Sequence, residues 1–247
     1  MKAMIFAAGL GTRLRPLTEQ LPKALVPLAG IPLLEHQILR LKEAGITEII
    51  VNVHHFASQI IDFLQSKRYF GIRIEISDET AQLLDTGGGL KKASWFFDDG
   101  KPFVLQNVDV LSTIRFGDML SEHVGTGAMA TLAVSSRSSS RYFLFDESMR
   151  LCGWEHTGKQ EIRLVGDSVR VPRRFAFSGI HIINPEIFQY IQETGTFSLV
   201  DVYLQLSGEF LLKGFEHDPL GWIDLGRPED LLAAGKRIVD SHFTAIS

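Results

Sequence analysis

The 247-residue sequence has one cysteine, Cys152, and little that would take it out of aqueous solution. A single cysteine excludes an intramolecular disulfide and a zinc site built from several cysteines. No apolar stretch approaches the ~20 residues of a membrane helix. The net charge is only −4, with acidic and basic residues interspersed, so the composition indicates neither a nucleic-acid nor an anionic-membrane surface. The apolar start breaks at Arg13 without a small-residue cleavage site, so we expect a strand there and a cytoplasmic protein.

What is present is the composition of an ordinary globular protein, 45% hydrophobic and 22% charged. The length suits one large α/β domain. Apolar runs at 3–8, 48–53, 72–77, 102–107 and 128–134 predict strands, and helical spacing at 32–44 and 56–64 predicts helices between the first three. The order β-α-β-α-β predicts a parallel sheet with right-handed crossovers.

The loop after the first strand is rich in glycine and cations. Gly9 and Gly11 lack the β-carbons that would keep a ligand from the backbone, and successive N–H groups in such a loop can bind an anion. Arg13, Arg15 and Lys23 add three positive charges at the same edge of the sheet. The loop therefore predicts a polyphosphate ligand.

Two common phosphate loops do not match this segment. The dinucleotide fingerprint G-x-G-x-x-G fails because Leu14 occupies the position of the third glycine, and no Gly-Lys-Ser/Thr follows at Walker A spacing. A redox dinucleotide enzyme is accordingly a distant alternative.

The same segment closely resembles the opening motif of the sugar-1-phosphate nucleotidyltransferases. That motif is Ala-Gly-x-Gly-Thr-Arg-Leu-x-Pro-Leu-Thr, then Pro-Lys, then Pro-x-x-Gly-x-Pro. The sequence matches it without gaps at 8–18, at 22–23 and at 27–32. The resemblance extends to N-acetylmuramate, mannose and heptose 1-phosphate nucleotidyltransferases with one domain.

Three further segments carry the resemblance along the chain. Thr86-Gly87-Gly88 resembles the segment that lies against the nucleobase, although a tight turn without a ligand is the other interpretation. Asp109 follows a strand where the family places a magnesium aspartate, but Val108 replaces the usual glycine before it. Trp-x-Asp-x-Gly-x-Pro at 222–228 resembles the C-terminal motif, which makes Asp224 the second magnesium carboxylate.

The acceptor side resembles the family less closely. Gly179 matches a strand glycine near the sugar, and we expect Arg141 and Asp201 to contribute to substrate binding. The basic stretch from 135 to 174 would suit a second phosphorylated substrate, but a solvated loop is an equally good interpretation of it. The family's Glu-Lys pair for the sugar phosphate has no convincing copy in the sequence. The cations of this stretch are Arg137, Arg141, Arg150, Lys159, Arg163, Arg170, Arg173 and Arg174.

The resemblance implies an α/β fold, a Rossmann-like mixed, mainly parallel sheet flanked by helices, with a small acceptor-side lobe. One domain would span 1–247, with 1–134 binding nucleotide and 135–247 binding the sugar phosphate. The implied catalytic residues are Arg13, Lys23, Asp109 and Asp224. The implied nucleoside triphosphate contacts are Ala8, Gly9, Gly11, Thr12, Arg13, Lys23, Thr86, Gly87 and Gly88.

The implied reaction transfers a nucleoside monophosphate from a triphosphate to a sugar 1-phosphate with Mg²⁺ at Asp109 and Asp224, and releases pyrophosphate. The attacking phosphate is already ionised, so no strong general base is required, and two anionic substrates can meet only if cations cancel their repulsion. The alternatives are a cytidylyltransferase acting on phosphocholine or another non-sugar phosphate, and a non-catalytic nucleotide-sugar sensor. The base (with a slight preference for uridylyl or guanylyl transfer), the sugar and any homo-oligomer stay open.

Overall fold

Apolar strands alternate with amphipathic helices along the chain, as the periodicity predicts. The structure, a computed structural model, describes residues 1–166 and 172–239. Arg170 of the basic stretch lies outside the described residues.

The strands are β1 (Ala3–Phe6), β2 (Pro27–Leu28), β3 (Ile31–Pro32), β4 (Glu48–Val53), β5 (Arg73–Asp78), β6 (Phe103–Asn107), β7 (Val110–Ser112), β8 (Ala130–Ser135), β9 (Arg141–Phe145), β10 (Leu151–His156), β11 (Glu161–Leu164), β12 (Arg173–Ile183), β13 (Leu212–Glu216) and β14 (Trp222–Asp224). The helices are α1 (Leu33–Glu43), α2 (Ala57–Ser66), α3 (Asp85–Lys92), α4 (Phe116–Thr126), α5 (Leu199–Leu206) and α6 (Pro228–Val239).

Most predicted elements are confirmed within one or two residues of their ends. Strand β4 covers 48–53 as predicted, and helix α1 lies inside the predicted 32–44. Gly45, with φ of +77°, follows α1 in the left-handed conformation that glycine adopts at low cost. Strand β1 ends at Phe6 rather than at residue 8, because the N–H groups of Ala7 and Ala8 donate to the side chain of Asn52 instead of to a neighbouring strand.

The chain divides into two units, and the first comprises the described residues of 1–83, 105–113 and 222–239. In it β1 pairs with β4 and β4 with β5, all in parallel. Helix α1 connects β1 to β4, and α2 connects β4 to β5, which confirms the β-α-β-α-β prediction. The strands bury continuous apolar runs, Ala3 to Ile5 and Ile49 to Val51, as expected for strands covered on both faces.

The second unit comprises the described residues of 84–104 and 114–221. Strand β8 pairs in parallel with β13 and antiparallel with β12, whereas β9 pairs with β12 and β10, and β10 with β11, all antiparallel. The short strands β9 to β11 are the small lobe that the sequence predicts between residues 135 and 174. The predicted α/β class with a mixed sheet and flanking helices is thus confirmed.

The three consecutive glycines lie inside α3, where close packing within the second unit requires at least two of them. A β-carbon on Gly87 would lie 2.4 Å from the ring of Phe197, and one on Gly88 would lie 2.2 Å from the carbonyl oxygen of Gly195. The N–H of Gly87 donates to the carbonyl oxygen of Phe197 at 2.9 Å. Packing alone therefore accounts for glycine at these two positions, and nucleobase binding there stays a prediction.

Among the described residues, we find no helix with the length and apolarity needed to cross a bilayer.

Replacing Gly88 by alanine tests this packing. The new methyl group would meet backbone, which cannot rotate away, so we expect a loss of about 1–3 kcal/mol in the free energy of unfolding. Gly125→Ala is the control, because a β-carbon at that position of α4 meets no atom within 4 Å. It should leave stability unchanged or raise it by up to about 1 kcal/mol. Urea unfolding measures both, and equal effects of the two substitutions would contradict the packing argument.

Candidate active site

The glycine loop folds tightly over two side chains that follow it in the sequence. Gly11 has φ of +63°, and a β-carbon on it would lie 2.9 Å from Cγ2 of Thr18 and 3.1 Å from Cβ of Lys23. The hydroxyl of Thr18 donates to the carbonyl oxygen of Gly11 at 2.8 Å. At Gly9, by contrast, a β-carbon would meet no atom within 4 Å, so this part of the loop borders open space. The loop is therefore held at Gly11 and accessible at Gly9.

Lys23 binds the first of the two predicted metal carboxylates. It begins a short 3₁₀ turn, Lys23–Leu25, directly after the extended Pro22. Its ammonium donates to Oδ2 of Asp109, and both side chains are largely buried, with 12% and 13% exposure. A charge-assisted hydrogen bond of this kind is stronger where water is partly excluded.

An antiparallel strand pair brings the second carboxylate beside the first. Strand β14 pairs with β7 so that Asp224 lies opposite Val110, the residue after Asp109. The N–H of Leu225 also donates to the carbonyl oxygen of Asp109 at 2.8 Å. Residues that face each other in such a pair have Cα atoms about 4.5–5.5 Å apart. Two carboxylates that are far apart in the sequence thus become neighbours.

Arg13 and Gly226 complete the surroundings of Asp224. Nη1 of Arg13 lies 4.0 Å from Oδ2 of Asp224, and the N–H of Gly226 donates to Oδ1 at 2.8 Å. A β-carbon on Gly226 would lie 2.6 Å from Nη2 of Arg13 and 2.7 Å from Oδ1 of Asp224. The glycine of the Asp-x-Gly motif is therefore required because the guanidinium and the carboxylate both pack against its Cα.

The two acids influence each other electrostatically. Burial raises the pKa of Asp224 above its ordinary value, and the charge of Asp109 raises it further. The hydrogen bond from Gly226 and the charges of Lys23 and Arg13 oppose this shift. A raised pKa at a carboxyl next to another carboxylate means that a cation bound between them would be favourable.

Buried polar side chains of α1 hold the strand that carries Asp109. The amide of Gln37 donates to the carbonyl oxygen of Val110 at 2.7 Å and accepts from Gln106 at 3.0 Å. The guanidinium of Arg40 donates to the hydroxyl of Ser112 at 3.1 Å. Burial lowers the pKa of Arg40 to about 10, so this side chain stays positively charged at neutral pH. These bonds fix the backbone on the C-terminal side of Asp109.

The second unit holds the residues that were predicted to lie against the nucleobase and to bind the acceptor. The hydroxyl of Thr86 accepts from the N–H of Leu199 at 3.0 Å. Gly179 has φ of +72° and lies where the pairing of β12 with β8 shifts register. Arg141 is exposed at the start of β9, and the exposed carboxylate of Asp201 accepts from Arg163 at 2.7 Å. An ion pair with Arg163 is a structural role for Asp201, and its binding role stays a prediction.

The structure places Arg13, Lys23, Asp109 and Asp224 close together, as expected from the sequence, and their roles stay a prediction. The buried polar residues that support the loop and strand β7 were not predicted. Asn52 lies in the apolar strand β4, and Glu79 directly follows β5; both are almost fully buried. Gln37 lies on the buried face of α1. Asn52 had a signal, because a polar residue inside an otherwise apolar run calls for a hydrogen-bond partner in the fold. Glu79 and Gln37 follow polar neighbours, Asp78 and His36, and had no comparable signal.

Comparison with known proteins identifies the family. The sequence matches the nucleotidyl transferase family over residues 2–241. The chain belongs to this family.

Individual relatives agree with this membership. The N-acetylmuramate alpha-1-phosphate uridylyltransferase of Caulobacter vibrioides is 33% identical, with 97% of each chain covered. A probable mannose-1-phosphate guanylyltransferase of Oryza sativa is 31% identical over 98% of this chain, which spans 65% of the rice protein's length. Among solved structures, a putative glucose-1-phosphate thymidylyltransferase from Bacillus anthracis superimposes with a TM-score of 0.78 at 21% identity, covering 98% of this chain and 97% of its own. The fold of this nucleotidyltransferase is thus the predicted nucleotide-diphospho-sugar transferase fold.

The donor set of the nucleotidyltransferase fits a hard divalent cation that is shared with a substrate. The described residues contain no group of three or more histidine, cysteine, aspartate or glutamate side chains suited to a metal. Mg²⁺ usually takes only one or two carboxylates and completes its octahedron with water and phosphate oxygens. Asp109 and Asp224 match that requirement.

The titration of Asp224 provides a direct test of the carboxylate pair. Because the charge of Asp109 raises the pKa of Asp224, we expect Asp109→Asn to lower it, as measured by carboxyl ¹³C NMR. Lys23→Met should raise it, because the opposing charge is lost. If Asp109→Asn left the Asp224 titration unchanged, the two carboxyl groups would not be neighbours.

Proposed function

We propose that this protein transfers a uridylyl group from UTP to N-acetylmuramate 1-phosphate with the help of Mg²⁺. The products are the corresponding UDP-sugar and pyrophosphate. The family and the relatives already show that the chain is a sugar-1-phosphate nucleotidyltransferase, an enzyme of the transferase class. The identities of the base, the sugar and the metal are our inference.

One observation supports the proposal most strongly. Asp224 lies opposite Val110 in the pairing of β14 with β7, while Asp109 is bound by Lys23 and Arg13 lies beside Asp224. Two acids and two cations therefore alternate at the end of the glycine loop. This is the arrangement that in-line displacement at a polyphosphate needs, because positive groups must face the phosphates without binding them irreversibly.

In the reaction, an oxygen of the sugar 1-phosphate attacks the α-phosphorus of the triphosphate. A new phosphorus–oxygen bond forms, the bond to the β-phosphate oxygen breaks, and pyrophosphate leaves in line. Both reactants are anionic, so their approach costs Coulomb energy unless positive charge intervenes. Positioning and charge neutralisation supply most of the rate, and no covalent enzyme intermediate is required.

Arg13 and Lys23 have different tasks in this scheme. The guanidinium of Arg13 is planar and exposed, which suits bidentate contact with the leaving phosphates. The ammonium of Lys23 is a compact charge in a largely buried position and is paired with Asp109. Asp109 and Asp224 would hold the divalent cation, which would supply further neutralisation of phosphate charge. The flexible stem of Lys23 would let its ammonium reach a phosphoryl oxygen of the substrate.

The preference for a uridylyl donor and an N-acetylmuramate acceptor is supported by the length of the relatives. The Caulobacter uridylyltransferase and this chain cover each other almost completely, whereas the rice guanylyltransferase is considerably longer. On this proposal residues 1–134 bind the nucleotide and 135–247 bind the sugar phosphate. The nucleoside triphosphate contacts would be Ala8, Gly9, Gly11, Thr12, Arg13, Lys23, Thr86, Gly87 and Gly88, and the acceptor contacts would be Gly179, Arg141 and Asp201.

The alternatives have less support. A phosphocholine acceptor is not favoured by the relatives, which are named for sugar phosphates. A non-catalytic sensor would have no need of both carboxylates with both cations in place.

A substrate matrix tests the proposed specificity. Pyrophosphate release would be measured for UTP, dTTP, GTP and CTP, each against N-acetylmuramate, mannose and glucose 1-phosphates and phosphocholine. We expect UTP with N-acetylmuramate 1-phosphate to give the highest kcat/KM. A higher value for GTP with mannose 1-phosphate would replace the proposed substrates, and turnover of phosphocholine alone would replace the acceptor class.

Charge removal tests the proposed roles. Asp109→Asn and Asp224→Asn should abolish pyrophosphate release, because each removes half of the cation site. Lys23→Ala should cost roughly 2–4 kcal/mol, or 30- to 1000-fold in rate. Asp118→Asn, at an exposed ion pair of α4, is the control and should keep wild-type activity. Retained turnover in either carboxylate variant would overturn the assignment of that residue.

A further inference from the structure

We propose that Asn52 is a positioning residue for the nucleotide loop and that Glu79 fixes the orientation of its side chain. This inference deepens the proposed function. It rests on the proposed function only in the experiments that measure turnover. It concerns two residues with no place in the motifs of the loop or of the carboxylate pair.

Asn52 holds the loop at the point where it leaves the sheet. Its backbone lies opposite Phe6, the last residue of β1. Its side-chain oxygen accepts from the N–H of Ala7 at 2.7 Å and from the N–H of Ala8 at 3.3 Å. These are the first two amides after the strand, and Gly9 follows directly. The Asn52 side chain on β4 thus replaces the backbone hydrogen bonds that β1 no longer makes after Phe6.

Glu79 determines which way the Asn52 amide points. Its Oε1 accepts from the Asn52 amide nitrogen at 2.7 Å, so the amide oxygen must face Ala7 and Ala8. Glu79 is itself held by its backbone, since its N–H donates to the carbonyl oxygen of Val53 at 2.8 Å and its carbonyl oxygen bonds Nδ1 of His54 at 2.6 Å. The two side chains are only 3% and 1% exposed. A buried, oriented pair of this kind is rigid.

The neutral amide between the carboxylate and the loop has an electrostatic consequence. A carboxylate in direct contact with the loop would repel the triphosphate. The Asn52 amide instead accepts from the loop N–H groups and donates to Glu79, so no negative charge lies against the loop. The two N–H groups that Asn52 binds are no longer available to phosphate, so Ala8 would contact the nucleotide through its other atoms. The backbone N–H contacts of the loop with phosphate must then come from later residues, beginning at Gly9.

The loop needs such a support because its part at Gly9 and Leu10 has little packing of its own. A β-carbon at Gly9 would meet no atom within 4 Å, and Leu10 is exposed. In-line attack tolerates little displacement of the phosphates, and a shift of about 1 Å can cost roughly 100-fold in rate. Asn52 therefore matters for the geometry of the reaction, although it lies below the loop and not in the substrate's path.

Substitutions that separate the two hydrogen bonds test the proposal. Asn52→Ala removes the acceptor, and we expect kcat/KM for UTP to fall by roughly 10- to 100-fold. Glu79→Gln keeps an oxygen that can accept from Asn52, so it should stay within about 3-fold of wild type. Asn52→Asp puts two buried carboxylates in contact and should lose activity. The double variant Asn52→Asp with Glu79→Gln restores one acceptor and one donor, but the carboxylate introduced at position 52 still repels the triphosphate. It should therefore recover only part of the loss.

Two further measurements separate positioning from general stability. Hydrogen–deuterium exchange of the peptide that spans residues 3–12 should increase in Asn52→Ala, while exchange elsewhere stays unchanged. Asn184→Ala is the control, because the Asn184 side chain also bonds the backbone, but as a donor to the carbonyl oxygen of Ala128 in the second unit. It should lower the melting temperature without changing kcat/KM.

The proposal is overturned if Asn52→Ala changes only the melting temperature, or if the double variant is no better than Asn52→Asp alone. Should Asn52→Ala fail to fold, the comparison of the single and double aspartate variants decides. If the wild-type protein releases no pyrophosphate from any substrate pair, the proposed function fails instead. Exchange of the loop peptide and calorimetric binding of UTP would then decide the positioning role.

Discussion

The pairing of β14 with β7 is the constraint on which the site depends. It places Asp224 beside Asp109 at a cost, since burial and the neighbouring carboxylate both raise the pKa of Asp224. Lys23 and Arg13 reduce that cost by binding one acid each. The site thus carries almost no net charge, although cations and carboxylates lie side by side in it. Such a site can exchange its internal ion pairs for contacts with a metal and a polyphosphate.

Rigid elements hold each member of this group. The hydrogen bonds of Gln37 and Arg40 fix β7 next to Asp109. Gly226 has no side chain because Arg13 and Asp224 occupy that space, and Gly11 has none because Thr18 and Lys23 do. The glycines that look like ligand contacts in the sequence are in part packing sites. The same holds for Gly87 and Gly88 in the second unit, where Phe197 and Gly195 lie against them.

The sequence predicted the charged residues of the site because each belongs to a motif whose chemistry is recognisable. Arg13 and Lys23 lie in the glycine loop, Asp109 follows strand β6, and Asp224 ends strand β14. The partner of each side chain was not predictable, because the proximity of Asp109 and Asp224 depends on strands more than one hundred residues apart. Asn52, Glu79 and Gln37 were missed for a related reason. Each is a polar residue with many possible partners, and only the fold decides which one it binds.

On the proposed mechanism, Asp109 and Asp224 hold one divalent cation together. Mn²⁺ binding in the presence of UTP, followed by electron paramagnetic resonance, measures this directly. We expect one tightly bound Mn²⁺ per chain, with equal weakening in Asp109→Asn and in Asp224→Asn. Undiminished binding in either variant would show that the two carboxylates do not share an ion.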